Sequence, residues 1–434
     1  MRVATLYISV LFLAFSEAKV LSLMKDVVDN WKSQKNVSDS NVADNSSSEN
    51  YFDIPNDDTD LINLNLPREV VENKDYMLEE ELSAIAEKNK STLLLVNVIF
   101  RHGNRTAESM DAIYPNDPYQ YIDFYPLGHG QLTNAGKSRE FNVGKNLRQR
   151  YNDFLGDFYY PEMIDARSTD TNRTKMSLQL VLAGLFPPDE NDEFAKQIGY
   201  WQPVPYNYLP SNQDSLLLPL ACPNWLIETN NLMQTEPMKE SLKKYEKVFE
   251  YLKQKTGGNI STFFDVFLLY YGLRTQKEFG LQLPEWTKPV YPEILEEMVI
   301  RQYYVFVGNY QLRKMFAGAL LKKIIHDSRK RLFANDGRLS KKIYLYSAHE
   351  NNIASILISL GVYKNQIPDY GSHIIFEFHL VKGIPGFKIF FDNWTGEGPK
   401  LLQIPGCGTF CPLLKFIRLN DKILPRDDEN ACGQ

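Results

Sequence analysis

Arg101-His102-Gly103-Asn104-Arg105 brackets one histidine between two arginines, with a glycine at its side. Each guanidinium offers a planar fork of donors that matches the oxygens of a phosphoryl group. The glycine lets backbone come close to a ligand. Two positive neighbours disfavour an imidazolium, so the ring stays neutral at mildly acidic pH. A neutral imidazole nitrogen aimed at phosphorus can displace an alcohol and form a phosphoramidate. A lone His-Gly would read as an incidental strand end, but R-H-G-x-R closing an apolar strand is hard to obtain by accident. Two other charged positions stand in comparable places, Arg167 and the pair His349-Glu350. Taken alone, Arg167 reads equally well as a surface ion-pair partner, and His349 reads better as a packed core histidine.

These residues need elements to hold them. Thr92 to Phe100 (TLLLVNVIF) is a short apolar run that suits a strand buried on both faces, as in a parallel sheet. It leads directly into Arg101. The stretch from Gly130 to Tyr151 reads as helix, Met163 to Ala166 as a short strand, and Thr171 to Leu185 as a helix with Ser168-Thr169-Asp170 as caps, stopped by Pro187-Pro188. Helical patterns follow at Glu236 to Lys255 and Pro292 to Leu332. Strand character returns at Lys342 to Ser347, just before His349. Asn352 to Leu360 reads as a helix with Gly361 after its end, and His373 to Leu380 and Phe387 to Phe391 read as a hairpin across a turn holding Gly383, Pro385 and Gly386. The pattern predicts an α/β core, residues 89–190 and 335–434, with a mostly helical cap inserted at 191–334. Ligands bind such sheets at the carboxyl ends of strands, where 101–105, 167 and 349–350 fall.

The rest of the composition sets limits. The 434-residue chain carries a formal charge of −6, so nothing resembles the overall basic charge of a nucleic-acid binder, and any anion site must be built from local arginines. Residues 1–18 read as a signal peptide: Arg2, a short apolar run from Val3 to Phe15, and small residues at Ser16 and Ala18. That run is short for a span of about 20 residues, so no membrane partner is expected. Residues 19–88 are rich in Asn, Asp, Ser and Glu and can bury little surface, which predicts a disordered extension. Export favours disulfides, and the four cysteines, Cys222, Cys407, Cys411 and Cys432, allow three pairings. Their spacing does not suit zinc, and no metal or other cofactor is expected. N-x-S/T sequons occur at Asn36, Asn45, Asn89, Asn104, Asn172, Asn259 and Asn393. Asn89, Asn172, Asn259 and Asn393 are the expected glycan sites, whereas Asn104, inside the R-H-G-N-R loop, should be shielded and unmodified.

Residues 94–106 (LLVNVIFRHGNRT) resemble the signature of the histidine acid phosphatases, such as insect venom, lysosomal and prostatic types. The resemblance continues through Gly130-Gln131-Leu132-Thr133, Arg167-Ser168-Thr169-Asp170 with Arg173-Thr174, Leu182 to Pro188, Tyr346 to His349, and Cys407 to Cys411, covering about 92 to 434. It implies a phosphoglycerate-mutase-like α/β fold, an acid optimum and no metal. It implies His102 as the nucleophile, Arg101, Arg105 and Arg167 as phosphate ligands, and His349 as a second histidine donating to the phosphoryl group. Glu350 stands where the family usually has aspartate, the acid that protonates the leaving alcohol. It keeps the chemistry but moves the carboxyl by about 1.5 Å. Asn351-Asn352 stand where hydroxyl residues are frequent, and Ala107 where proline is. The resemblance also implies disulfides Cys407–Cys411 and Cys222–Cys432.

The expected activity is hydrolysis of a small phosphate monoester by a secreted, extracellular enzyme, with a lysosomal location ranked lower. The family is often dimeric, so a homodimer is compatible. A weakened homologue that binds phosphorylated ligands without turnover is the rival from another class. An inositol-phosphate-specific enzyme ranks lower, because the lobe at 236–332 carries many acids beside its lysines.

Overall fold

The computed structural model describes residues 92–108, 114–189, 191–334 and 341–433. The expected signal peptide, the 19–88 extension and Asn89 lie outside the described residues. The architecture is a mixed α/β core sheet flanked by helices, with an inserted helical region.

Strand β1, Leu93–Arg101, lies in the middle of an eight-stranded sheet. The others are β2 (Ile164–Ser168), β3 (Asn207–Tyr208), β4 (Ile343–Ala348), β5 (His373–Val381), β6 (Ile384–Asp392), β7 (Lys400–Leu401) and β8 (Cys411–Pro412). Their order is β3-β2-β4-β1-β5-β6-β7, with β8 also paired to β6. β1 and β2 run parallel to β4 on either side of it, whereas β1 runs antiparallel to β5. The sheet is therefore mixed, not the wholly parallel one that the apolar run suggested. Burial on both faces, not strand direction, makes that run apolar. Val96, Val98 and Phe100 enter one core, with Val143, Leu147 and Leu178. Leu95 and Ile99 enter the other, with Leu320, Ile324 and Ile353.

Helices α1 (Asn134–Leu155) and α2 (Asn172–Leu185) supply the first of these cores. In chain order, α3 (Pro223–Met233), α4 (Glu236–Lys243), α5 (Glu246–Thr256), α6 (Phe263–Glu278) and α7 (Glu293–Phe306) follow. The second core is covered by α8 (Ala319–Leu332), α9 (Glu350–Ser359) and α10 (Leu413–Asn420).

The chain divides into two units. Among the described residues, the larger, within 92–106, 130–232 and 300–433, carries the sheet, and the smaller, within 107–129 and 233–299, carries α4, α5 and α6. Residues 191–232 and 300–334, assigned to the insert by sequence, group with the sheet because Leu217, Leu320, Leu321 and Ile324 join its core. In the smaller unit Thr262 and Asp265 form a capping box at the start of α6, and the buried Asp117 accepts from Gln276 at 2.8 Å.

Two local readings change. The β5–β6 hairpin closes on Lys382-Gly383 alone, without Pro385 and Gly386. Both residues have positive φ, 51° and 80°, as a two-residue turn that follows strand twist requires. Pro385 and Gly386 belong to β6. Helix α9 begins at Glu350, two residues before the expected start, because the Asn352 side chain accepts the His349 N–H at 3.1 Å and makes His349 the N-cap. The disulfides Cys222–Cys432 and Cys407–Cys411 are both formed.

Candidate active site

The carboxyl ends of β1, β2 and β4 converge. Arg101 is the last residue of β1. Its backbone N–H donates to the Ser372 carbonyl at 2.9 Å, its carbonyl accepts from Gly371 at 3.2 Å, and the His102 N–H donates to Ala348 at the end of β4 at 3.2 Å. The following loop lies on the start of α1. Thr133 caps that helix through the Gly136 N–H, and its own N–H donates to the Asn104 carbonyl at 2.9 Å. The two backbones touch. A Cβ on Gly103 would lie 2.5 Å from the Gly136 carbonyl oxygen, and one on Gly136 would lie 2.2 Å from that of Asn104. Only glycine fits at either place. On its other side the Gly103 N–H donates to Ser177 of α2 at 3.2 Å.

His102 is buried, and its Nδ1 lies 2.9 Å from the Gly103 carbonyl. A carbonyl only accepts, so Nδ1 carries the proton and Nε2 of the neutral ring keeps its lone pair. The His349 ring stands edge-on to it at 5.4 Å between centroids. His349 Nε2 shares a 3.0 Å hydrogen bond with Thr169 Oγ1, which is bonded in turn to Thr174 Oγ1 at 2.8 Å. Both imidazoles are held well below the usual histidine range, first by burial, then by the positive charges of Arg173, Arg101 and Arg105.

Arg101 is fully buried. Its Nη1 donates to the Pro368 carbonyl at 2.7 Å, its Nε pairs with the Glu350 carboxylate at 3.1 Å, and its plane lies 4.0 Å from the centre of the Tyr370 ring. Arg105 is buried as well, with Nη1 donating to the Thr106 carbonyl at 3.1 Å. Nitrogens of His102 and His349 and an oxygen of Glu350 lie within 4.8 Å of one another. By ligand type that trio could hold a metal ion. The arginine charges that bear on both imidazoles oppose a cation and favour an anion instead.

Five of the residues singled out in the sequence are thus brought together: Arg101, His102, Arg105, His349 and Glu350. Arg167 is not placed with them. Its guanidinium is paired with the fully buried Asp214. Arg173, in the first turn of α2, is the arginine whose charge weighs most on both histidines. The sequence holds a signal for it, since Arg173 falls in the first turn of a helix that starts just after the end of β2. The three-residue loop between β2 and α2 is too short for sequence alone to separate 167 from 173. Among the sequons, Asn172 and Asn259 are exposed and Asn104 is half-buried. Asn393 uses both ends of its amide, accepting from Asp369 at 2.9 Å and donating to Ile367 at 3.3 Å.

Behind Arg101, Glu140 of α1 is fully buried, and neither carboxyl oxygen has a hydrogen-bond partner. Burial drives its acid far above the usual range against the pull of Arg139 and Arg101, so the folded protein favours its neutral form. A raised folded value stabilises below the ordinary value of 4.5, and that stability is lost as pH climbs toward the folded value. Glu140→Gln should match the wild type in thermal melts near pH 4 and be more stable at pH 7. The gap should widen by up to about 1.4 kcal/mol per pH unit. Equal melting at both values would contradict a neutral Glu140.

Residues 92–383 match the family described as histidine phosphatase superfamily (branch 2). The chain is 38% identical over 346 residues to the venom acid phosphatase Acph-1 of Apis mellifera, covering 80% of this chain and 89% of that protein. It is 33% identical to the lysosomal acid phosphatase of Homo sapiens, covering 79% and 80%. A phytase of Hafnia alvei, solved in complex with myo-inositol hexakis sulphate, shares the fold with a TM-score of 0.56 at 18% identity, covering 79% of this chain and 98% of that one. With two neutral imidazoles, a carboxylate and buried arginines at the convergent strand ends, the chain belongs to branch 2 of the histidine phosphatase superfamily and is a phosphatase.

Proposed function

We propose that this enzyme is a secreted acid phosphatase that hydrolyses small phosphate monoesters in two steps through a phosphohistidine on His102. The reading is carried by one observation. The lone-pair nitrogen of a buried, neutral imidazole lies within a cluster of arginine charge, a second histidine and a carboxyl. In the first step His102 Nε2 bonds to phosphorus, the ester P–O bond breaks, and Glu350 gives a proton to the departing oxygen. In the second, water attacks phosphorus, Glu350 takes its proton, and the P–N bond breaks to release phosphate. Arg101, Arg105, Arg173 and His349 hold the equatorial oxygens, where charge gathers in an in-line transfer. Substrate phosphate competes with Glu350 for Arg101, which frees the carboxyl for its proton transfers. Two disulfides fit the oxidising environment of the secretory route, and no helix among the described residues is long and apolar enough to cross a membrane.

Arg173 and Arg167 test the assignment against each other. Arg173→Ala should weaken inorganic phosphate binding about 10- to 100-fold, the worth of one charge-assisted bond. Arg167→Ala should leave it within about twofold, because that side chain already has Asp214. Calorimetric titration at acid pH decides, and the reverse ranking would return the phosphate-binding role to Arg167.

A further inference from the structure

A closed circuit of buried hydrogen bonds runs behind His349. Asn352, 1% exposed, uses both ends of its carboxamide: Oδ1 accepts the His349 N–H at 3.1 Å, and Nδ2 donates to the Leu217 carbonyl at 2.9 Å. The Leu217 N–H donates to Asp214 Oδ1 at 3.0 Å, and Asp214 is paired with Arg167 of β2. Two residues beyond Arg167, Thr169 holds the His349 ring at Nε2. The path leaves the end of β2 at Arg167 and returns to it at Thr169, gripping His349 by its backbone on one side and its imidazole on the other.

From this circuit we infer that Asn352, backed by the Asp214–Arg167 pair, is a positioning residue that sets the His349 imidazole and the Glu350 carboxyl for phosphoryl transfer. The inference rests on the proposed function and extends it to residues that touch no substrate. Capping alone would need only an acceptor for the His349 N–H, which a hydroxyl can supply. The second end of the amide does something else. It ties the start of α9 to the 214–217 segment, so the helix carrying the proton donor cannot shift without breaking a buried bond. A displacement near 1 Å can cost on the order of a hundredfold in rate.

Three variants test this: Asn352→Ala, Asn352→Thr, which keeps a capping hydroxyl and should fold readily, and Asp214→Asn. Each should lower kcat for p-nitrophenyl phosphate about tenfold or more while KM moves less than about twofold. Asn352→Ala and Asp214→Asn combined should cost little more than the worse of the two, because they cut the same circuit. Wild-type kcat in Asn352→Thr, or losses that multiply in the double variant, would overturn the inference. Imidazole nitrogen shifts in histidine-labelled protein give a readout that does not need turnover. Asn352→Thr should move the His349 signals and leave those of His102 in place, and unmoved His349 signals would also overturn it. Absence of turnover in the wild type would instead count against the proposed function, with the nitrogen shifts still deciding the role of Asn352.

Discussion

His102→Ala lowers kcat for p-nitrophenyl phosphate at about pH 5 by at least about a thousandfold, while inorganic phosphate still binds. The size follows from the role. The imidazole Nε2 keeps its lone pair, because Nδ1 is bound to the Gly103 carbonyl. The guanidiniums around it are protonated and cannot take its place as nucleophile. The arginines stay in place, so affinity for the product survives. The pH profile carries a second mark of the same group. Burial and the charges of Arg173, Arg101 and Arg105 keep His102 neutral well below the ordinary value of 6.5, so kcat/KM should not fall between about pH 6.5 and pH 5. Initial rates over that range, with calorimetric phosphate binding, check both points. An undiminished rate in His102→Ala would remove the phosphohistidine from the scheme.

Glu350→Ala should lower kcat by about 10²- to 10⁴-fold, and by more for an alkyl phosphate than for p-nitrophenyl phosphate. A nitrophenolate leaves without much help, whereas an alkoxide needs a proton. The dependence on leaving group therefore separates a working acid from a residue that only packs. Glu350→Asp should also be slower than wild type, by about tenfold. The pocket is built around the longer chain, whose carboxylate reaches Arg101 Nε at 3.1 Å, and one methylene less withdraws it by about 1.5 Å. Rates for the three proteins on both substrates make the test. If Glu350→Ala is as active as wild type on the alkyl ester, the acid is another group. If the wild type binds phosphate tightly without turnover, the chain is a binder.

Much of this site could be read before any coordinates, and the reason is local. Arg101, His102 and Arg105 sit within five residues at the end of a strand whose burial on both faces shows as an unbroken apolar run, and His349 and Glu350 follow a second such strand directly. What sequence could not supply was three-dimensional choice among neighbours. Arg167 and Arg173 both flank the β2–α2 loop, and only the position of Asp214, 47 residues away, decides which is drawn aside. Helix α6 is apolar on nearly every side, so no amphipathic period marks it in the sequence. Nothing in the sequence around Glu140 marks it for burial. Its burial depends on Gly371 and the β1 end, which are more than 200 residues apart in places and meet only on folding.

Gly103 and Gly136 meet through main-chain atoms, and main chain is the one part of a protein that substitution elsewhere does not alter. The height of the reacting nitrogen above α1 is therefore fixed by matter that every descendant of this gene inherits unchanged, so long as both positions stay bare. Other surfaces are at liberty to drift toward new substrates. The anvil beneath the histidine is not, and any lineage that puts a side chain on either residue would lift its nucleophile out of register with the arginines in a single step.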